Sequence, residues 1–268
     1  MTSLFFSSGI FAQENIIPSG DFSSLRKTGI AKVIEVVNPL TVNLDNGGII
    51  HLAGLDFPDL DFYESGDLAI TAQKILEDFL VNKKVIIYQT KSKDKGHTNR
   101  MGHDIAHLVR ANDNIWTQGL LLSLGVARVR TTQYNPEMAG QMLALENGAR
   151  TNKSGMWNMD EHKILSPEQA EEYIGSYQIV EGKVQSASLR KNKLYLNFGN
   201  NWRDDFTVAI SAFNLRKFVK AKIDPKQWNG KLIRVRGWIK SYNGAYMEIE
   251  HPERFEALFK QQQNMAGD

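Results

Sequence analysis

The sequence predicts a mainly β chain with helices (α+β), built from a five-stranded OB-fold barrel and a second OB-like β-barrel. Three observations carry that expectation. Short β-branched runs are punctuated by Gly/Asn turns, an amphipathic helix follows the third run, and the same order of elements recurs in the second half of the 268 residues. The recurrence is one of architecture, with no residue-level repeat.

Ile30 to Val37 and Leu40 to Leu44 read as strands, and Asp45-Asn46-Gly47-Gly48 is a turn signal leading into a third strand, Ile49 to Leu55. Ile70, Ala72, Ile75, Leu76, Phe79 and Leu80 recur at helical spacing, which predicts an amphipathic helix over 70–81. Strands resume at Val85 to Gln89 and Ile105 to Val109, and helices over 115–124 and 136–150 close the unit near Trp157. In the second half, 178–189, 194–198 and 206–210 read as strands, 213–221 as a helix, and 232–239 and 245–249 as strands. The division this predicts is a tail or truncated signal peptide at 1–27, a first barrel at 28–160, a linker at 161–176, a second barrel at 177–260 and a C-terminal tail at 261–268.

Charge is unevenly distributed. Residues 1–175 carry a net −5 and residues 176–260 a net +8, so attraction for a polyanion is expected in the second half. Cysteine is absent, which excludes disulfides, thiolate zinc sites and cysteine nucleophiles. No segment approaches the about 20 apolar residues that span a bilayer, so stable membrane insertion is not expected. Leu4 to Ala12 (LFFSSGIFA) is similar to the apolar part and small-residue end of a signal peptide, without its basic start. It leads to an expectation of a periplasmic or secreted bacterial protein, with a cytoplasmic protein as the alternative.

Several motifs together resemble the staphylococcal nuclease (thermonuclease, TNase-like) family over Gly29 to Asn158. Asn38-Pro39-Leu40-Thr41-Val42 stands where the family has Asp-Gly-Asp-Thr-Val, and NGGIIHLAGLDFPD, ending at Asp59, resembles its DG-x-x-VRL-x-GID-x-PE stretch. NRMGHDIAHL (99–108) resembles DRYGR-x-LA, LLLSLGVA (120–127) the LV-x-x-GLA helix end, and Gly155-Met156-Trp157 the closing Gly-x-Trp. The resemblance implies a barrel in which two aspartates hold calcium, a glutamate orients water, and two arginines clamp the phosphate. Calcium requires carboxylate oxygens, and the pentacovalent phosphate requires fixed cationic donors.

Carried over by position, the metal aspartates fall on Leu40 and Asp56, the arginines on His51 and His103, and the glutamate on Asp59. His51, Asp59 and His103 are therefore the candidate catalytic positions and Asp56 the candidate metal ligand. Leucine in place of aspartate predicts loss of calcium, and imidazole cannot copy the bidentate guanidinium–phosphate contact. An active phosphodiesterase would need His51, Asp56, Asp59 and His103 to gather round zinc or manganese instead. The basic loop Lys91 to Arg100, with His97, reads either as a phosphate contact or as a solvated loop.

Residues 179–258 also resemble a segment that accompanies degenerate thermonuclease domains in some bacterial proteins; Asn197-Phe198-Gly199 and Trp202 to Val208 carry that likeness. Alternation places Arg234, Arg236 and Trp238 opposite Ile233, Val235 and Ile239, and Lys193 and Tyr195 outward from Leu194 and Leu196. Interleaved aromatic and cationic side chains suit single-stranded nucleic acid, so Lys193, Tyr195, Arg234, Arg236 and Trp238 are the candidate nucleic-acid-binding residues. Arg216, Lys217, Lys220 and Lys222 read as a solvated helix face. The expected function is a pseudoenzyme that binds nucleic acid or another polyanion with weak or no calcium-dependent hydrolysis. The alternatives are an active His/Asp metal nuclease and a protein-interaction or envelope module.

Overall fold

The computed structural model describes residues 18–61, 64–199 and 205–258. Most of the tail expected at 1–27, the signal-like stretch included, lies outside the described residues. So do Trp202, Arg203 and Asp204 and the tail at 261–268.

The first unit runs β1 (Leu25–Asn38), β2 (Thr41–Leu44), β3 (Ile49–Leu52), a short β4 (Leu55–Asp56), α1 (Asp67–Leu80), β5 (Lys84–Thr90), β6 (Asp104–Arg110), α2 (Thr117–Ser123), a short β7 (Arg128–Val129) and α3 (Ala139–Thr151). The strands close into a barrel in the order β1-β2-β3-β6-β5, with β3 and β6 parallel. β1 is long enough to close the ring because its first half pairs with β5 and its second half with β2. Register shifts at Lys27/Gly29 and Val33/Glu35 supply the bends this requires.

Helix α1 buries Leu68, Ala69, Ala72, Leu76, Phe79 and Leu80 against the barrel, while Ile70 faces outward. The helix starts before Ile70, so its apolar stripe is centred on residues 68–80.

The second unit comprises β8 (Tyr177–Lys183), β9 (Ser186–Arg190), β10 (Lys193–Asn197), β11 (Thr207–Ser211), α4 (Ala212–Lys220), β12 (Leu232–Ser241), β13 (Ala245–Glu248) and β14 (Phe255–Ala257). Its sheet runs β9-β10-β11-β13-β12, with β8 and β14 both on β12 and with β11 parallel to β13. Read strand for strand, this is the order of the first barrel. The expected single strand over 178–189 is broken at Val184 and Gln185, where the Val184 amide donates to Lys231 O and the Gln185 amide to Asn197 O. The expected OB-like second unit is thus a curled, barrel-like sheet whose opening strand is split between its two edges.

Each unit has its own apolar core. The segment expected as a linker is not free of them, because Leu165 and Ala170 are buried in the second core and Leu165 bridges to Val180. The seam between the units is polar. Arg236 on β12 donates to both carboxylate oxygens of Glu146 on α3, at 3.1 and 2.8 Å, to Val129 O at 3.0 Å and to Glu256 at 2.6 Å. Glu256 also pairs with Arg150 and Arg234, and Arg234 with Glu181. Among the described residues no helix is long and apolar enough to cross a membrane.

Candidate active site

Asp56 lies on β4, the two-residue strand that pairs with β7, so Asp56 stands directly across from Arg128. Val126-Ala127-Arg128-Val129-Arg130 alternates, which sends Arg128 and Arg130 to the same side as the aspartate. Arg128 places Nη2 at 2.7 Å and Nε at 3.1 Å from Asp56 Oδ2, and Arg130 places Nη1 at 3.1 Å from Oδ1. The carboxylate is 7% exposed and both of its oxygens accept from guanidinium. Arg128 continues past it to Tyr177 O at 2.9 Å and Gln178 Oε1 at 3.3 Å, so this ion pair is also part of the seam.

Asp59 is occupied as well. Its Oδ2 accepts from the Leu68 amide at 2.8 Å and its Oδ1 from the Ala69 amide at 3.0 Å, capping the first turn of α1. Gly66, at the N-cap, is required by this arrangement, since a Cβ there would lie 2.4 Å from Asp59 Oδ2.

His51 on β3 and His103 at the entrance to β6 come from adjacent parallel strands. Burial, reinforced by the neighbouring His103 and Arg130, pushes His51 below the ordinary histidine value, which favours the neutral ring. His103 Nδ1 is buried with no hydrogen-bond partner among the described residues. His162 approaches from the short helix at 160–162 and is likewise held low by burial and Arg128, against the opposing pull of Asp59 and Glu161. His97 is turned aside, its Nε2 2.6 Å from Ser92 O.

A calcium ion does not fit these residues. Leu40 packs against the barrel core, Asp56 is compensated by two guanidiniums and Asp59 is spent on a helix end. The alternative His51/Asp56/Asp59/His103 site is not assembled either, since among the described residues no three or more His, Asp or Glu side chains gather closely enough to hold a metal. The arrangement brings His51, His103 and His162 near Arg128 and Arg130, with both candidate carboxylates already hydrogen-bonded.

The candidate residues of the second unit are dispersed rather than brought together. The alternation on β12 is as expected, but the face bearing Arg234 and Arg236 is covered by the first unit. Arg236 is 1% exposed, so the expectation that it points to solvent is corrected. Glu146 and Glu256 outweigh the burial that works against its charge and hold its proton above the ordinary arginine range. Arg234 is held between Glu181 and Glu256. Trp238 remains 43% exposed at the cleft rim, with Arg130 5.5 Å from its ring centre. Lys217 does not lie on a solvated face, because its Nζ donates to Gln133 Oε1 of the first unit and to Glu250 O. Lys193 and Tyr195 stay on the far side of the sheet, beside Tyr246.

Sequence reasoning missed Arg128 and Arg130, although their period-two spacing beside a β-branched run was readable. It could not have found their partner. Asp56 lies 72 residues away from Arg128, and only the β4–β7 pairing joins them.

Barrel order, with a helix between the third and fourth barrel strands, defines the class of the first unit as an OB-type barrel. Residues 50–159 match the family model of staphylococcal nuclease homologues. Leu40, in the β1–β2 turn, precedes the matched span. No curated protein matches the chain.

Proposed function

We propose that this protein binds nucleic acid through a nuclease-family scaffold and does not hydrolyse phosphodiesters with calcium. The observation that carries the reading is the double guanidinium clamp on Asp56. A hard cation would have to displace two charge-assisted contacts to reach that carboxylate, and it would find no second acidic ligand at Leu40. The occupied Asp59 supports the same conclusion, since hydrolysis needs an oriented base within hydrogen-bond reach of water. The net +8 of residues 176–260 supports affinity for a polyanion.

The test is to incubate the purified chain with single-stranded DNA and RNA under calcium, manganese and zinc in turn, beside a His51→Ala/His103→Ala variant. The expected outcome is intact nucleic acid in every lane and binding that weakens steeply as salt rises. Robust calcium-driven digestion by the wild-type chain would overturn the reading. Digestion under manganese or zinc that vanishes in the double variant would replace it with the His/Asp metal nuclease.

A further inference from the structure

A groove of about 570 Å³ crosses β9, β10 and β11 between two tight turns. Register builds its floor in rows. Arg190 stands opposite Lys193, Ser188 opposite Tyr195, and Ser186 opposite Asn197, which in turn faces Thr207 and, beyond it, Tyr246. The walls are the two-residue 191–192 turn, with both residues at positive φ, and the three-residue 242–244 loop between Ser241 and Ala245, with Asn243 and Gly244 at positive φ. The turn presents Lys191 and the loop Tyr242, which is 61% exposed and lies edge-on to Tyr246 at 5.4 Å.

We propose that this groove is the nucleic-acid site of the protein and takes a single strand, with bases stacked on Tyr195 and Tyr242 and phosphates against Arg190 and Lys191. This deepens the reading given under Proposed function and rests on it. Three observations point to an anion with flat groups. Among the described residues no acidic side chain lines the groove. Arg190 and Lys193 are a directly opposed like-charge pair, which costs a sheet stability unless something else pairs with them. Glu248 offsets only Lys193, at 3.4 Å, while Arg190 and Lys191 have no ion pair among the described residues. Lys191 holds a φ of 45°, a conformation in which a lysine is strained and an asparagine is not. Faces of this kind, bounded by the loops after the first and fourth strands of an OB-order sheet, are suited to oligomeric ligands, and tyrosine supplies a π surface every base can use.

The experiment measures fluorescence anisotropy of labelled oligo-dT and oligo-U of about 12 nucleotides against the full chain and three variants. Tyr242→Ala is expected to weaken binding about 10-fold or more. Lys191→Asn keeps the turn and removes the charge, so it should weaken binding and lower the slope of log affinity against log salt by about 0.7. Arg190→Ser should do the same while thermal stability is unchanged or rises, because the opposed pair is relieved; a merely structural role would lower stability instead. If all three variants bind like the wild type, the groove is not the site, although the nucleic-acid reading stands. If the wild-type chain binds neither oligonucleotide, that reading fails and the groove proposal with it. Tyr242-dependent binding of a neutral oligosaccharide in place of the oligonucleotides would overturn the proposal in favour of a saccharide site.

Discussion

The two units share a strand order, yet the carboxylates at the mouth of the first are held by intramolecular partners and the sheet face of the second is open. In the first, both candidate carboxylates have intramolecular partners: Asp56 has Arg128 and Arg130, and Asp59 has the amides of α1. In the second, Arg190 and Lys191 have none among the described residues, and Tyr242 projects into solvent. Fold order alone therefore says little about what either unit does. The state of the polar groups on the ligand face says more, because a satisfied carboxylate has little left to offer while an unpaired cation is still available.

The largest effect that would sharpen this contrast is expected at the seam. Arg236→Ala leaves Glu146, which is fully buried, without its bidentate partner. Removing one member of a buried pair costs about 3–5 kcal/mol, so urea denaturation should show a midpoint shifted far down and, with the clamp gone, separate transitions for the two cores. Arg236→Met paired with Glu146→Leu should recover much of that loss, since no buried charge is stranded. If the single variant unfolds like the wild type, the polar seam is not what couples the units.

Acid should act next, and in both places. His107 in the first core and His251 at the seam, near Thr131, are each depressed by burial to about 3, His251 with help from Arg254 and Lys217. A histidine held low in the fold takes its proton mainly in the unfolded chain, so stability is full above about pH 6.5 and falls as pH drops through the window down to about 3. Each histidine should remove about 2 kcal/mol by pH 5. Denaturation at pH 7 and pH 5 checks this, and His107→Gln and His251→Gln should each flatten the dependence. A wild-type midpoint that does not move between those two pH values would contradict both assignments.

Much of this architecture was legible in sequence because it is local. Strand alternation, the helix between strands three and four, and the Asn-Gly turn at 46–47 are written in adjacent residues, and the structure carries them all. The nuclease-type motifs were legible for the same reason. The seam was not, because it depends on pairs distant in the chain: Arg236 and Glu146 are 90 residues apart, and alternation says only that Arg236 faces away from its own core. That core-averted face turned out to be covered rather than wet. The groove was half legible. Lys193 and Tyr195 were readable as outward-facing, whereas Tyr242 and Tyr246 join them only because β13 pairs in parallel with β11.

The smallest expected effect decides what Asp59 is for. As a cap it serves two amides of α1, and Asp59→Asn keeps one acceptor while losing the charge that favours a helix N-terminus. That predicts a loss of about 1 kcal/mol, with faster hydrogen exchange at the Leu68 and Ala69 amides and no change at α3. Gly66→Ala gives an independent check, because its Cβ would press on the same carboxylate and should speed exchange at the same two amides. A carboxylate retained to activate water would behave the other way. Its replacement would leave α1 exchange alone and remove metal-dependent cleavage, so a single pair of measurements separates a helix cap from a catalytic base at this position.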